Sequence, residues 1–171
     1  MKQAFLLTGV PGSGKTSILK EVLAQVERSA GGFYTDELRV SGVRHGFKIV
    51  TLDGQSATLA HIDIQSPYRV SKYGVDLAAL EQVAVPAIRK AIQEYDIVVI
   101  DEIGKMELFS ASFREAVLEA IASGKRVLGT IMLKPHPWAD KIKQHPGVKV
   151  VPVTRTNRSQ VVSQVLLWLK S

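Results

Sequence analysis

The sequence of 171 residues predicts an α/β protein in three layers, with helices on both faces of a mostly parallel central sheet and an antiparallel hairpin insert. Three observations carry this expectation. The runs Ala4-Phe5-Leu6-Leu7 and Ile97-Val98-Val99-Ile100 are apolar without interruption, as in strands buried on both faces. Segments with apolar residues three and four apart alternate with such runs, the spacing of helices that pack by one side. Between the first helix and the rest lies a β-rich stretch, Phe33 to Asp53, broken by Ser41-Gly42 and closed by Asp53-Gly54, the punctuation of a hairpin.

Taken in order, Ala4 to Thr8 is the first strand, and Ile18, Leu19, Val22, Leu23 and Val26 mark the buried face of the first helix, which Gly31-Gly32 closes off. The hairpin follows, and Thr58 to Ile62 adds a strand. Pro67 to Gly74 reads as a loop carrying Tyr68, Arg69, Lys72 and Tyr73. Asp76 caps a helix that runs to about Gln93, with Pro86 kinking or splitting it. Ile97 to Ile100 is the next buried strand. Ser112 and Glu115 form a capping box for a helix with Phe113, Val117, Leu118 and Ile121 inward, stopped by Gly124. Val127 to Ile131 and Val148 to Val153 are strands flanking a short segment, Pro137 to Gln144. The closing helix puts Val161, Val162, Val165, Leu166 and Leu169 on one side. No repeat or linker interrupts the pattern, so one domain spanning 1–171 is expected.

Composition narrows the function classes. With zero cysteines, disulfides, thiolate chemistry and cysteine zinc sites are excluded. His61, His136 and His145 lack metal-ligand spacing. No apolar run approaches the roughly 20 residues that span a bilayer. Ala4 to Leu7 leads straight into a glycine loop and reads as a strand instead of a secretory leader, which makes a cytoplasmic location the expectation. The net charge of +6 favours negatively charged partners. The Lys and Arg residues are scattered, so nucleic acid stays open without a motif that indicates it.

Gly9-Val10-Pro11-Gly12-Ser13-Gly14-Lys15-Thr16 matches G-x-x-x-x-G-K-[ST] throughout, after an apolar strand and before an amphipathic helix. Glycines let the backbone curl so that successive N–H groups face phosphate oxygens, and the helix start adds its positive dipole end. In such a loop Lys15 reaches the β- and γ-phosphates and the Thr16 hydroxyl ligates Mg²⁺. The strand Ile97 to Ile100 ends in Asp101-Glu102, where ligands sit in a parallel sheet. Asp101 is expected to hold Mg²⁺, directly or through water, and Glu102 to polarise the water that attacks the γ-phosphate. Asp101-Glu102-Ile103-Gly104 also fits the D-x-x-G of small GTPases, but no N-K-x-D guanine motif accompanies it. Asn157 and Arg158, after the last strand, are candidates for touching the base, with capping of the last helix by Thr156 or Asn157 the competing use. Arg44, at the hairpin tip, and Lys105, after the acidic strand end, are candidate phosphate contacts, since phosphoryl transfer gains from an extra cation.

The chain resembles the small P-loop nucleoside-triphosphatase family of archaea, bacteria and animals, also called the cancer-related or thermophile NTPases. The resemblance covers nearly the whole chain. It rests on Gly9 to Thr16, on Gly32-Phe33-Tyr34-Thr35 with Arg39, on Gly46 to Val50, on Lys72 to Val75, on Asp101-Glu102-Ile103-Gly104-Lys105-Met106-Glu107, and on Asn157-Arg158. It implies a RecA-like sheet and slow, Mg²⁺-dependent hydrolysis of ATP, GTP and other nucleoside triphosphates to diphosphate and phosphate. Two other uses of the same loop stand beside it. A nucleotide or small-molecule kinase would carry an arginine-rich lid, whereas Arg39, Arg44, Arg69 and Arg114 are spread along the chain. A nucleotide-gated, nucleic-acid-associated adaptor would use turnover only to time a switch.

Overall fold

The computed structural model of the chain describes residues 2–171. Five strands run parallel at its centre, side by side in the order β2 (Ala30–Val40), β7 (Ile97–Ile103), β8 (Arg126–Ile131), β1 (Ala4–Thr8) and β9 (Val148–Pro152). The first strand therefore sits between the last two. Leu6 pairs with Gly129 on one side and Val150 on the other. Four antiparallel strands extend the same sheet beyond β2: β3 (Val43–Thr51), β4 (Ser56–His61), β6 (Tyr73–Val75) and β5 (Arg69–Val70).

The hairpin is an outgrowth of the core sheet. Ala30 to Phe33 of β2 pair in parallel with Ile97 to Ile100, and from Phe33 onward the same strand pairs antiparallel with β3. Gly31 and Gly32, expected to close the first helix, lie inside β2. A Cβ on Gly32 would stand 2.0 Å from the Val99 carbonyl oxygen, so the closeness of β2 to β7 requires glycine here.

Helices cover both faces. Alternation along β1 sends Phe5 and Leu7 to α1 (Lys15–Ala24) and α6 (Arg158–Lys170), where Ile18, Leu19, Val22, Val161, Val165 and Leu169 are buried. Ala4 and Leu6 face the other way. There the core includes Ile88 of α3 (Val85–Glu94), Phe113 and Val117 of α4 (Ala111–Ala122), and Ile142 of α5 (Pro137–Lys143).

Several boundaries differ from the expectation, each for a local reason. Asp76 does cap its helix, accepting from the Ala79 N–H at 3.1 Å. The helix then passes from α2 (Leu77–Ala79) through a π-helical stretch, Leu80–Ala84, into α3. Pro86 cannot donate to the carbonyl four residues back and its ring crowds that oxygen; the wider π turn ahead of it relieves both. Pro67 to Gly74 is not all loop, since β5 and the start of β6 lie in it.

The capping box at Ser112 and Glu115 is not formed. Ser110 caps α4, its extended backbone letting Oγ accept from the Phe113 N–H at 3.1 Å, while the Ser112 hydroxyl donates to Glu81 at 2.7 Å. Leu118 is 45% exposed, against the inward position expected of it. Ala116, Val117, Ala120 and Ile121 hold the buried face, and Leu118 projects about 100° around the helix from Val117.

Candidate active site

The carboxyl ends of β1, β7 and β8 lie at one edge of the sheet, and the polar residues there meet. Gly9 to Gly14 connect β1 to α1, with Ser13 N–H closing on the Val10 carbonyl at 3.2 Å. Gly14 opens the helix with φ 93°, a left-handed conformation that glycine adopts without strain. The Gly9 position is crowded: a Cβ would stand 2.7 Å from the Val153 carbonyl oxygen and 2.9 Å from Ser13 Oγ. Lys15 folds back over the loop, donating from Nζ to the Gly9 carbonyl at 2.6 Å. Ser13 Oγ is buried with no hydrogen-bond partner among the described residues. That is an unsatisfied donor inside the glycine-rich loop.

Asp101 is the hub. Thr16 Oγ1 donates to its Oδ2 and Thr130 Oγ1 to its Oδ1, both at 2.6 Å, and Thr35 Oγ1 donates to its carbonyl at 2.7 Å. Phosphate-loop helix, β7, β8 and β2 are thereby tied to one residue. Burial pushes the Asp101 carboxyl above the ordinary aspartate range, opposed by the two hydroxyl bonds and the Lys15 charge. The same carboxylate and burial hold the Tyr34 phenol up to about 12, burial being the larger cause. The Asp101–Glu102 peptide is cis.

Glu102 is partly buried and is also pushed upward, first by burial and then by Asp101, with Lys15 pulling the other way. Beyond it, Gly104 leaves a gap into which two carboxyls point. A Cβ there would stand 2.6 Å from Glu102 Oε1 and 3.0 Å from Glu107 Oε1. Glu107 opens a 3₁₀ turn, Glu107–Phe109, and is buried.

The other sequence candidates are placed differently. The Arg158 guanidinium lies against the loop, with Nη1 3.3 Å from where a Gly14 Cβ would be, and donates to Ser17 Oγ at 3.0 Å and to Glu21 at 3.3 Å. The Asn157 side chain instead fastens its own loop: Oδ1 accepts from Thr154 N–H at 2.8 Å and Nδ2 donates to the Pro152 carbonyl at 2.9 Å. It stands at the N-cap of α6 but makes no side-chain capping bond. Arg44 is engaged elsewhere. Its Nε donates to the Tyr73 hydroxyl at 3.0 Å, its Nη1 pairs with Glu37 at 3.3 Å, and its guanidinium lies 5.1 Å from the Phe47 ring centroid. Lys105 is exposed.

Thr35, Thr130 and Glu107 join the site without having been singled out from sequence for these roles. Thr130 left a faint signal, a hydroxyl near the carboxyl end of a buried strand. Thr35 and Glu107 appeared only within longer strings of resemblance.

A parallel sheet in which an inner strand feeds a phosphate loop, with a carboxylate two strands away hydrogen-bonded to that loop's threonine, defines the P-loop class of nucleotide-binding fold. The sequence profile of the NTPase family matches residues 4–166, and the chain belongs to that family. Nucleoside-triphosphatase THEP1 of Thermotoga maritima is 45% identical over 165 residues, covering 96% of this chain and 94% of its own. The human cancer-related nucleoside-triphosphatase is 38% identical, covering 100% and 98% respectively. The crystal structure of THEP1 from the hyperthermophile Aquifex aeolicus superposes with a TM-score of 0.90 at 32% identity, covering 98% of this chain and 99% of that one. The solution structure of the human protein gives 0.83 at 36%, covering 99% and 98%. Among the described residues, no helix is long and apolar enough to cross a membrane.

Proposed function

We propose that the chain hydrolyses the γ-phosphate of ATP, GTP and other nucleoside triphosphates in a Mg²⁺-dependent reaction of broad base tolerance. The observation that carries this reading is the 2.6 Å bond from Thr16 to Asp101, which joins the phosphate loop to the acidic strand end. A hydroxyl and a carboxylate side by side fit Mg²⁺, which takes one or two protein oxygens and completes its shell with water and substrate phosphates. Thr16 and Asp101 would hold it, and its charge would offset that of the β- and γ-oxygens. Thr130 keeps Asp101 turned toward Thr16.

Lys15 supplies the cation that meets charge developing on the transferred phosphoryl group. Ser13 Oγ has a free donor for a phosphate oxygen. Glu102, in the residue next to Asp101, accepts a proton from the attacking water; its raised affinity for protons suits a base working near neutral pH. Arg158 lies against the loop, where a base could rest on its guanidinium, while Asn157 is occupied within its own loop. That combination gives contact without a donor–acceptor code, and kcat/KM for ATP and GTP should differ by less than about 30-fold.

The test compares Glu102→Gln with Asp101→Asn in single-turnover hydrolysis and equilibrium nucleotide binding. Glu102→Gln should lose about 10²–10⁴-fold in rate with affinity little changed. Asp101→Asn should weaken Mg²⁺ dependence and turnover together. Hydrolysis by Glu102→Gln within a few-fold of wild type refutes the base assignment.

A further inference from the structure

Glu107 has no task in the hydrolysis as described, yet it is buried to 4% exposure beside the residue that does. The side-chain charges acting on it are those of Glu102 and Asp101, both negative, and what favours its ionised form is limited to the backbone N–H groups of Glu107 itself and Gly104. Glu107 is in no ion pair among the described residues, and burial without a cation favours the neutral acid; desolvation and the Glu102 charge hold its carboxyl well above the ordinary glutamate range. A buried acid that stays neutral is a hydrogen-bond donor, which an ionised carboxylate is not.

Gly104 leaves room between the two acids. Glu102 Oε1 and Glu107 Oε1 converge on the space a side chain would otherwise fill, from 2.6 and 3.0 Å. Glu107 is set at the start of its 3₁₀ turn, and the Leu108 N–H donates to the Gly104 carbonyl at 3.0 Å, so the backbone carrying both acids is closed on itself. Glu102, by contrast, is at the open end of β7 and receives no hydrogen bond from another side chain among the described residues.

We propose that Glu107 is a positioning residue for hydrolysis: uncharged, it presents its acid O–H to the Glu102 carboxylate across the Gly104 gap and fixes which oxygen faces the attacking water. The role rests on Glu102 acting as the base. No proton leaves Glu107 in the step; the water's proton goes to Glu102, and Glu107 holds that carboxylate in line. Glutamine, whose amide also donates, can stand in for a neutral glutamic acid, whereas an apolar side chain of similar length cannot.

The experiment uses the full chain with Glu107→Gln, Glu107→Met and, as reference, Glu102→Gln. Single-turnover rate, nucleotide Kd and thermal midpoint are measured for each. Glu107→Met should lose about 10- to 100-fold in rate, the worth of one hydrogen bond to a charged group, with Kd within about three-fold of wild type. Glu107→Gln should recover to within about five-fold of wild type. Infrared difference spectra between the wild type and Glu107→Gln supply a readout independent of turnover: the carbonyl band of a protonated acid at neutral pH should be present in the former and lost in the latter. Full activity of Glu107→Met, equal impairment of both variants, or the absence of that band overturns the proposal. If Glu107→Met does not fold, Glu107→Gln and the infrared band still decide it. If Glu102→Gln hydrolyses normally, the base reading has failed and this role with it; if Glu102→Gln is impaired while Glu107→Met is not, only the role of Glu107 falls.

Discussion

Replacing Gly104 with alanine isolates carboxylate placement from everything else the site does. Gly104 has no positive φ, so its backbone accepts alanine, and the new methyl meets the ends of two flexible side chains before any backbone atom. It would stand 2.6 Å from Glu102 Oε1 and 3.1 Å from its Cδ. Ordinary contact begins near 3.5 Å, so the Glu102 oxygen must retreat by about 0.9 Å. A displacement of about 1 Å at a reacting group costs on the order of 10²-fold. Single-turnover phosphate release should therefore fall by about 100-fold, equivalent to about 2.7 kcal/mol of barrier. Nucleotide affinity and the dependence on Mg²⁺ concentration should stay near wild type, because the atoms nearest the methyl belong to Glu102 and Glu107 and not to Lys15, Thr16 or Asp101. The assay pairs quenched-flow phosphate release with equilibrium binding and a thermal melt. A folded Gly104→Ala protein that hydrolyses within about three-fold of wild type refutes the placement of Glu102 at the reacting water.

Three further outcomes follow from the same contacts. Lys15→Ala should lower kcat/KM by at least about 100-fold in a steady-state phosphate assay, and near-normal turnover would show that the loop is not the site. Thr130→Val removes a hydroxyl bond that lowers the Asp101 proton affinity, so the acid limb of the kcat/KM profile should move to higher pH; an unmoved limb would separate Thr130 from function. Glu107, pushed upward in the folded state, contributes stability that is present below the unfolded value and lost as pH rises toward the folded one. Glu107→Gln lacks that loss, so in chelator its stability relative to wild type should grow as pH rises above about 4.5 in urea titrations, by up to about 1.4 kcal/mol per unit. A pH-independent difference would mean that Glu107 is ionised in the native protein.

What could be read from sequence was what is written in local spacing. Gly9 to Thr16 announces a phosphate loop because the geometry needs those residue types within eight positions, and Asp101 follows from an apolar run ending in acid. The alternation on β1 and the faces of α1 and α6 were legible for the same reason. Residues whose partners lie far along the chain were not. Thr130 reaches Asp101 across 29 positions and Thr35 across 66, and no local pattern distinguishes either from an ordinary strand threonine. Arg44 at a hairpin tip gave no hint that Tyr73 and Glu37 would engage it. Ser110 and Ser112 compete for one cap, and the choice is settled by the extended backbone at Ser110, while Glu81 accepts from both hydroxyls.

The placement of β1 between β8 and β9 has a consequence for how the protein is made. Its two hydrogen-bonded neighbours begin at Arg126 and Val148, so the strand that carries the phosphate loop has no partner until most of the chain exists. The antiparallel extension is built instead from neighbours in sequence, β2 with β3 and β3 with β4, and closes over short loops. Contacts of small sequence separation form first, and long-range parallel pairing waits for its loop-closure entropy to be met. On the ribosome the extension can therefore assemble while Gly9 to Thr16 stay unplaced. Nucleotide binding is acquired late, when Arg126–Ile131 and then Val148–Pro152 arrive to seat β1.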